Sequence, residues 1–354
     1  MSGVVIVRMG GEIGIKSRPV RSLYERMLEK IIRSSLKREG IPFSEISRSP
    51  GRVYVYTDSA EIVAKRVARI FGVSSASPGI VTSSELHEIV KNGTELAIMN
   101  FKPGTFAVRC RRSGHHEYTS MEVASLLGKE ILATKRDLIV NLDNPDQTLY
   151  VEIRDEKAYL YLDYVKGPDG FPVGTQDELL GIIDETKESL IACWCMLKRG
   201  STLKAVIYEF DGKVPKGTLT NLKVLLEWIP NASLETFVVP LSRYWKEPLM
   251  VHELCAAIRI AKDEGIAGIV SGLRPTSISA IIPLSSLDVQ IFFPLMVLDD
   301  MTLDEWSRYI GMGKYLPDDR VLGTVFPSVE IIVENIQTQS HYRKVTVSSD
   351  RLHF

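Results

Sequence analysis

The chain has 354 residues, and its 43 Lys and Arg against 44 Asp and Glu leave a net charge of −1 beside 45% hydrophobic residues. Such a composition belongs to a folded globular protein of two or three domains and excludes a collagen-like, low-complexity or highly charged disordered chain. No apolar run approaches the roughly 18–20 residues of a membrane span, and Val4-Val5-Ile6-Val7 has no cationic leader before it, so neither a membrane anchor nor a signal peptide is expected.

The near-zero net charge conceals an asymmetry. Residues 1–166 hold 25 Lys/Arg and 20 Asp/Glu, whereas residues 167–354 hold 18 and 24, so only the N-terminal half suits a polyanion. The four cysteines (Cys110, Cys193, Cys195 and Cys255) lack the C-x-x-C spacing of a zinc or redox motif. A reducing, cytoplasmic setting is therefore expected, with Cys193 and Cys195 as packing residues and no metal site.

In chain order, residues 3–8 alternate as a strand. Ser17-Arg18-Pro19 opens a helix whose apolar stripe is Leu23, Met27, Ile31, Ile32 and Leu36, and Gly40 ends it. Arg52–Tyr56 reads as a strand and Ala60–Phe71 as a basic amphipathic helix. Glu85–Met99 and Ser120–Ala133 read as helices on either side of a strand at Thr105–Arg112. Leu149–Ile153 and Ala158–Val165 form a hairpin about Asp155-Glu156-Lys157, and Lys166–Pro172 is the clearest linker. Beyond it, strand-length apolar runs at Leu179–Ile183, Leu203–Phe210, Thr236–Leu241, Ala267–Val270 and Val289–Phe293 alternate with helices at Leu190–Leu197, His252–Asp263 and up to Ile310. The last of these is expected to start at a capping box of Thr302 and Glu305. That alternation predicts a mostly parallel sheet with helices on both faces.

Two stretches carry chemistry. In Phe106–His116, a strand would put Phe106, Val108 and Cys110 on one face and Arg109 and Arg111 on the other, with Arg112, His115 and His116 continuing the positive edge and Tyr118 offering a ring for stacking. Guanidinium groups suit phosphate oxygens, but on residue types alone a solvated strand face is the better reading. In Gly181–Ser189, a strand turns into a helix, the geometry that holds a phosphate on backbone N–H groups. Such a loop needs glycine for close approach, yet Asp184, Glu185, Thr186, Lys187 and Glu188 supply none and bring three carboxylates. Acidic groups at a helix N-terminus also have a purely stabilising role.

The frame around both stretches resembles the tRNA 4-thiouridine synthetase family. Gly170-Phe171-Pro172-Val173-Gly174-Thr175-Gln176 is similar to the segment that leads into that family's Ser-Gly-Gly-x-Asp-Ser pyrophosphatase loop. In that register Asp184 falls on the first Ser, Glu185 and Thr186 on the glycines, Glu188 on the Asp and Ser189 on the retained final Ser. Phe106, Val108, Arg109, Arg111, Arg112, Gly114, His116, Tyr118, Thr119 and Ser120 resemble the RNA-binding THUMP module of tRNA-modifying enzymes. Gly11–Ser17 with Val20 and Arg21 resembles the ferredoxin-like domain that precedes it.

The resemblance implies an α/β chain: a ferredoxin-like α+β unit at 1–57, a THUMP α/β domain at 58–166, a linker at 167–174 and a Rossmann-like, PP-loop-type parallel-sheet domain at 175–354. It implies tRNA as partner, with contacts from Lys16, Arg21, Arg109, Arg111, Arg112, His115, His116 and Tyr118. A homodimer and a protein partner for the C-terminal domain are further options. The family's reaction adenylates a uridine with ATP and then displaces AMP with persulfide sulfur. Here Gly272 survives from a second loop signature, but Leu273 replaces its acidic residue, and Lys314-Tyr315-Leu316-Pro317 has no thiol where the family carries its catalytic cysteine. The expectation is a tRNA-binding protein with a degenerate nucleotide loop, no catalytic residues and no cofactor. The alternatives are a divergent ATP- and Mg-dependent tRNA sulfurtransferase or another THUMP-type enzyme such as a methyltransferase, for which no G-x-G-x-x-G loop is present.

Overall fold

The computed structural model describes residues 2–241, 249–274, 289–312, 331–338 and 342–349. The chain divides into two compact units, Met1–Asp169 and Gly170–Phe354.

Unit 1 runs β1 (Ser2–Met9), α1 (Gly11–Gly14), α2 (Arg18–Arg38), β2 (Glu45–Ser49), β3 (Arg52–Tyr56), α3 (Ala60–Val67), β4 (Val73–Ser83), α4 (Leu86–Asn100), β5 (Gly104–Ser113), α5 (Ser120–Thr134), β6 (Leu138–Val140), β7 (Gln147–Arg154), β8 (Lys157–Tyr161) and β9 (Val165–Lys166). Its strands form one sheet in the order β2-β3-β1-β4-β8-β7-β5-β6, with β9 beside β4. Strand alternation sends Val5, Val7, Val53 and Val55 into a core with Leu28 and Ile32 of α2, and sends Phe106, Val108, Leu149, Val151 and Ile153 into a core with Ile89, Val123, Leu127 and Ile131 of α4 and α5. The opposite face carries Val4, Ile6, Tyr54 and Tyr159.

Two expectations are corrected here. Val63, Ala64 and Val67 of α3 bury with Val5 and Leu28, and the helix expected over Ala60–Phe71 stops at Val67. The central strand β4, which contains Pro78-Gly79, is not among the strands expected from the sequence. Pro78 is tolerated because its missing N–H falls between the end of the β9 pairing at Ala76 and the start of the β8 pairing at Gly79.

Unit 2 runs β10 (Glu178–Ile182), α6 (Lys187–Lys198), β11 (Thr202–Phe210), α7 (Lys216–Leu226), β12 (Ser233–Leu241), α8 (Leu249–Asp263), β13 (Gly268–Val270), β14 (Gln290–Phe292), α9 (Asp300–Ile310), β15 (Ile331–Thr338) and β16 (Arg343–Ser349). The sheet order is β14-β13-β10-β11-β12-β16-β15, parallel from β14 to β12, with β16 antiparallel to both neighbours. The expected α9 cap is also corrected: Asp299, not Thr302, is the N-cap, and its carboxylate accepts from Thr302 N at 2.7 Å. In the parallel sheet β10 sits between β11 and β13, so the turn after β10 and the turn after β13 open at the same end.

Candidate nucleic-acid interface and helix-entry loop

On β5, Arg109 and Arg111 are exposed while Phe106 and Val108 are buried, as the alternation requires. Arg109 pairs in register with Tyr150 on β7, and Tyr150 with Tyr161 on β8; Arg111 pairs with Glu152, and Glu152 with Tyr159. A cavity of about 770 Å³ lies over these rows, lined among others by Arg8, Arg109, Arg111, Tyr150, Glu152 and Tyr161.

The remaining expected contacts are placed elsewhere. Arg112 donates from Nη1 to Gly114 O at 3.2 Å and lies 3.5 Å from His116 Nδ1, while His116 Nε2 donates to Asp155 O at 2.7 Å. That pattern requires the Nε2–H tautomer and makes His116 a tie between the β5–α5 loop and the β7–β8 turn. Gly114 has φ 94° and stands so close to Asp155 that a Cβ would meet Asp155 Oδ1 at 3.0 Å. Tyr118 is half-buried against the helix-side core, and its hydroxyl donates to Ser84 O, which anchors the loop. His115 is exposed. Lys16 and Arg21 lie at the α1–α2 junction; neither they nor Arg112, His115, His116 and Tyr118 line the cavity.

The sequence reading missed Arg8, Tyr150, Glu152 and Tyr161. Their signal was present as the alternation Tyr150-Glu152-Arg154 on one strand and Tyr159-Tyr161 on the next. Glu152 is 6% exposed and is surrounded by Arg154 at 2.8 Å, Arg52 at 3.2 Å and Arg8 at 3.6 Å. Burial opposes its ionisation, but the attraction of Arg52, Arg154 and Arg8 outweighs it and holds the carboxyl below the usual glutamate range. The depressed pKa means that the unfolded chain binds the proton first as pH falls. The stabilisation is therefore complete above the unfolded value of about 4.3 and is lost below it. Glu152→Gln should destabilise unit 1 by about 3–5 kcal/mol at pH 7, because three guanidinium groups lose their buried counter-charge. It should also flatten the decline below pH 4, read by urea unfolding monitored by far-UV circular dichroism.

In unit 2, β10 turns into α6 through a loop held by its own side chains. Thr186 is the N-cap, its hydroxyl accepting from Ser189 N at 3.2 Å. Asp184 Oδ1 accepts from Thr186 N at 2.8 Å and from the Thr186 hydroxyl, and Asp184 N donates to Ser189 Oγ at 3.2 Å. Fully buried Asn221 of α7 donates from Nδ2 to Asp184 O and Thr186 O, both at 2.8 Å. Gly272 presses on the helix entry, where a Cβ would stand 2.6 Å from Ser189 N. Lys187 pairs with Asp304, and Arg274 pairs with Asp300, so both basic groups near the loop are committed to α9.

The space beside the loop is about 240 Å³ and is lined in part by Asp184, Glu188, Glu253 and Arg274. Burial and the Asp184 carboxylate push the Glu253 carboxyl up to about 7. Among the described residues no group of three His, Cys, Asp or Glu is placed to hold a metal ion, and no helix is long and apolar enough to cross a membrane. Cys193 is buried in α6, and Cys255 is exposed on α8. The segment 314–319, expected where the family carries its cysteine, lies outside the described residues.

Comparison with known proteins fits this architecture. The ThiI ferredoxin-like domain matches residues 4–77, and the THUMP domain matches residues 83–163. A probable tRNA sulfurtransferase of Methanosarcina acetivorans is 30% identical over 336 residues, covering 87% of this chain and 81% of that protein. One from Saccharolobus islandicus is 29% identical over 375 residues, covering 98% and 99%. A crystal structure from Pyrococcus horikoshii Ot3 superposes with TM-score 0.70 at 27% identity, covering 88% of this chain and all of that one. A 4-thiouridine synthetase crystallised as an RNA complex with bound ATP gives TM-score 0.74 at 24% identity, covering 88% and 86%, which shows the shared fold. The mixed α/β architecture, with its ferredoxin-like, THUMP and parallel-sheet domains, and the identity across most of the length lead to one conclusion: the chain belongs to the tRNA sulfurtransferase family.

Proposed function

We propose that this chain is a tRNA-binding member of the family whose loop at 184–189 does not hold ATP. Unit 1 binds the RNA, and unit 2 serves as a scaffold or partner surface. The relatives are named for transfer of sulfur to tRNA, and one structural neighbour is an RNA complex, which supports tRNA as the ligand. The observation that carries the second half is the filling of the loop. The N–H groups of Asp184, Thr186 and Ser189, which a phosphate would need, are taken by Ser189, Asp184 and Thr186 side chains. Asp184, Glu185 and Glu188 add like charge beside the place of a triphosphate.

Calorimetric titration of the full chain with ATP and Mg²⁺, with and without tRNA, should give no binding heat. Incubation with ATP, tRNA and a persulfide donor should release no AMP and form no 4-thiouridine. ATP-dependent 4-thiouridine formed by the unaltered protein would overturn the proposal in favour of a divergent sulfurtransferase.

A further inference from the structure

Unit 2 holds a second cavity, of about 320 Å³, on the flank of α8 against β12 and the residue that enters β16. Among the described residues it shares no lining side chain with the space beside the β10–α6 loop. Helical spacing explains its composition. Leu254, Ala257, Ile258 and Ala261 of α8 are buried in the core of unit 2. His252, Cys255 and Arg259 recur at steps of three and four on another stripe of the same helix, and all three line the cavity. The floor is apolar, with buried Val239 and Leu241 of β12 and buried Ile260 of α8. Tyr342 walls one side. Its hydroxyl donates to Glu264 Oε1 at 3.2 Å, and its ring meets Phe237 edge-on with centroids 5.3 Å apart, so the wall is fixed. Cys255 and Arg259 are exposed and form the rim.

The other three cysteines are set against exchange chemistry. Burial holds the Cys193 thiol far above the usual cysteine range, pushes Cys195 up to about 12 and pushes Cys110 up to about 11. A thiol reacts as its thiolate, so these three are poor nucleophiles near neutral pH. Cys255 is the exposed one of the four.

We propose that this cavity is a thiol-exchange site, in which Cys255 takes up one half of a small disulfide that carries a carboxylate. Cys255 supplies the nucleophile. Arg259, one turn further on, supplies the counter-charge for the carboxylate. The floor of Val239, Leu241 and Ile260 supplies the contact for the carbon chain. The volume of about 320 Å³ lies at the small end of ligand cavities and suits one half of such a molecule. In the exchange, the Cys255 thiol gives its proton to water, and the thiolate attacks one sulfur of the disulfide. That S–S bond breaks as the mixed disulfide with Cys255 forms, and the other half leaves as a thiolate that takes up a proton. Cys255 is oxidised and the leaving half is reduced, so the disulfide is the only oxidant required. The site depends neither on RNA binding by unit 1 nor on whether the loop at 184–189 holds ATP.

The test uses the full chain near neutral pH and two probes, oxidised glutathione, which is anionic, and hydroxyethyl disulfide, which is neutral. Intact-mass spectrometry follows the adduct, and peptide mapping locates it. With oxidised glutathione, Cys255 should be modified before Cys110, Cys193 or Cys195, and Cys255→Ser should not acquire that first adduct. Arg259→Gln, a change on the exposed rim, should slow oxidised glutathione by about fivefold and leave hydroxyethyl disulfide unchanged, as loss of one close ion pair in water does. The chain unfolded in urea keeps the residues and loses the cavity, so its ratio of the two rates is the baseline. The folded chain should favour the anionic probe above that baseline. Two results overturn the site. One is an adduct spread evenly over the four cysteines. The other is the same rate ratio in the folded, unfolded and Arg259→Gln chains, which marks an exposed thiol only. Either result leaves the ATP and tRNA measurements untouched.

Discussion

Reversing Arg109 and Arg111 together to Glu should weaken tRNA binding by about a hundredfold or more at low salt and flatten its salt dependence. Each arginine that neutralises a phosphate releases condensed counterions, and each contributes close to one unit to the slope of log affinity against log salt. The reversal removes two such contacts and puts two carboxylates in their place, so the lost attraction becomes repulsion. Both side chains are exposed, and their strand keeps its buried face of Phe106 and Val108, so the fold should survive. Arg109 also donates to Leu142 O, and its loss should loosen the β6–β7 connection without reaching the core. Arg112→Glu serves as the contrast. Arg112 is tied to Gly114 O and His116 rather than to the cavity, so it should cost tRNA affinity much less than either cavity arginine. Unchanged tRNA affinity in a folded Arg109/Arg111 double variant would remove unit 1 as the RNA surface.

The contrast between those arginines also shows what the sequence could and could not reveal. Period-two alternation placed Arg109 and Arg111 on one face, because a strand buried on one side leaves no other register. The same alternation puts Arg112 on the face of Phe106, Val108 and Cys110, whereas nothing local told what Tyr118 would touch. Their partners, Gly114 and His116 for Arg112 and Ser84 for Tyr118, are set by the turn geometry and by the return of β4. Arg8 and Tyr161 are separated by more than 150 positions along the chain and meet only through the strand order β1-β4-β8. The parallel sheet of unit 2 was legible because both faces of its strands are buried and read as continuous apolar runs. The loop after β10 was legible in composition but not in mechanism. Three carboxylates led to the expectation of a degenerate phosphate loop, whereas the role of Asn221, far along in α7, emerges only when the chain folds back on Asp184 and Thr186.

Unit 2 should lose stability as pH rises from about 4 to 7, the opposite of the response expected from Glu152 in unit 1. Glu253 carries the effect. Its carboxyl is pushed up to about 7, first by burial and then by the Asp184 carboxylate. In the unfolded chain the same group titrates near 4.3. Between those values the folded unit binds a proton that the unfolded chain has released, so raising the pH favours unfolding until both states are ionised. Below about 4 both states are protonated and the term vanishes; above about 7 the full cost remains. The difference corresponds to about 2–3 kcal/mol after allowance for partial solvent access. Glu253→Gln keeps the neutral form at every pH. It should abolish this slope and leave unit 2 more stable than the unaltered chain at pH 8. All four tryptophans, at positions 194, 228, 245 and 306, lie beyond residue 170, so tryptophan fluorescence during urea unfolding reports unit 2 without interference from unit 1. Parallel stability curves for Glu253→Gln and the unaltered chain between pH 5 and 8 would show that the folded unit does not raise the Glu253 carboxyl above its unfolded value.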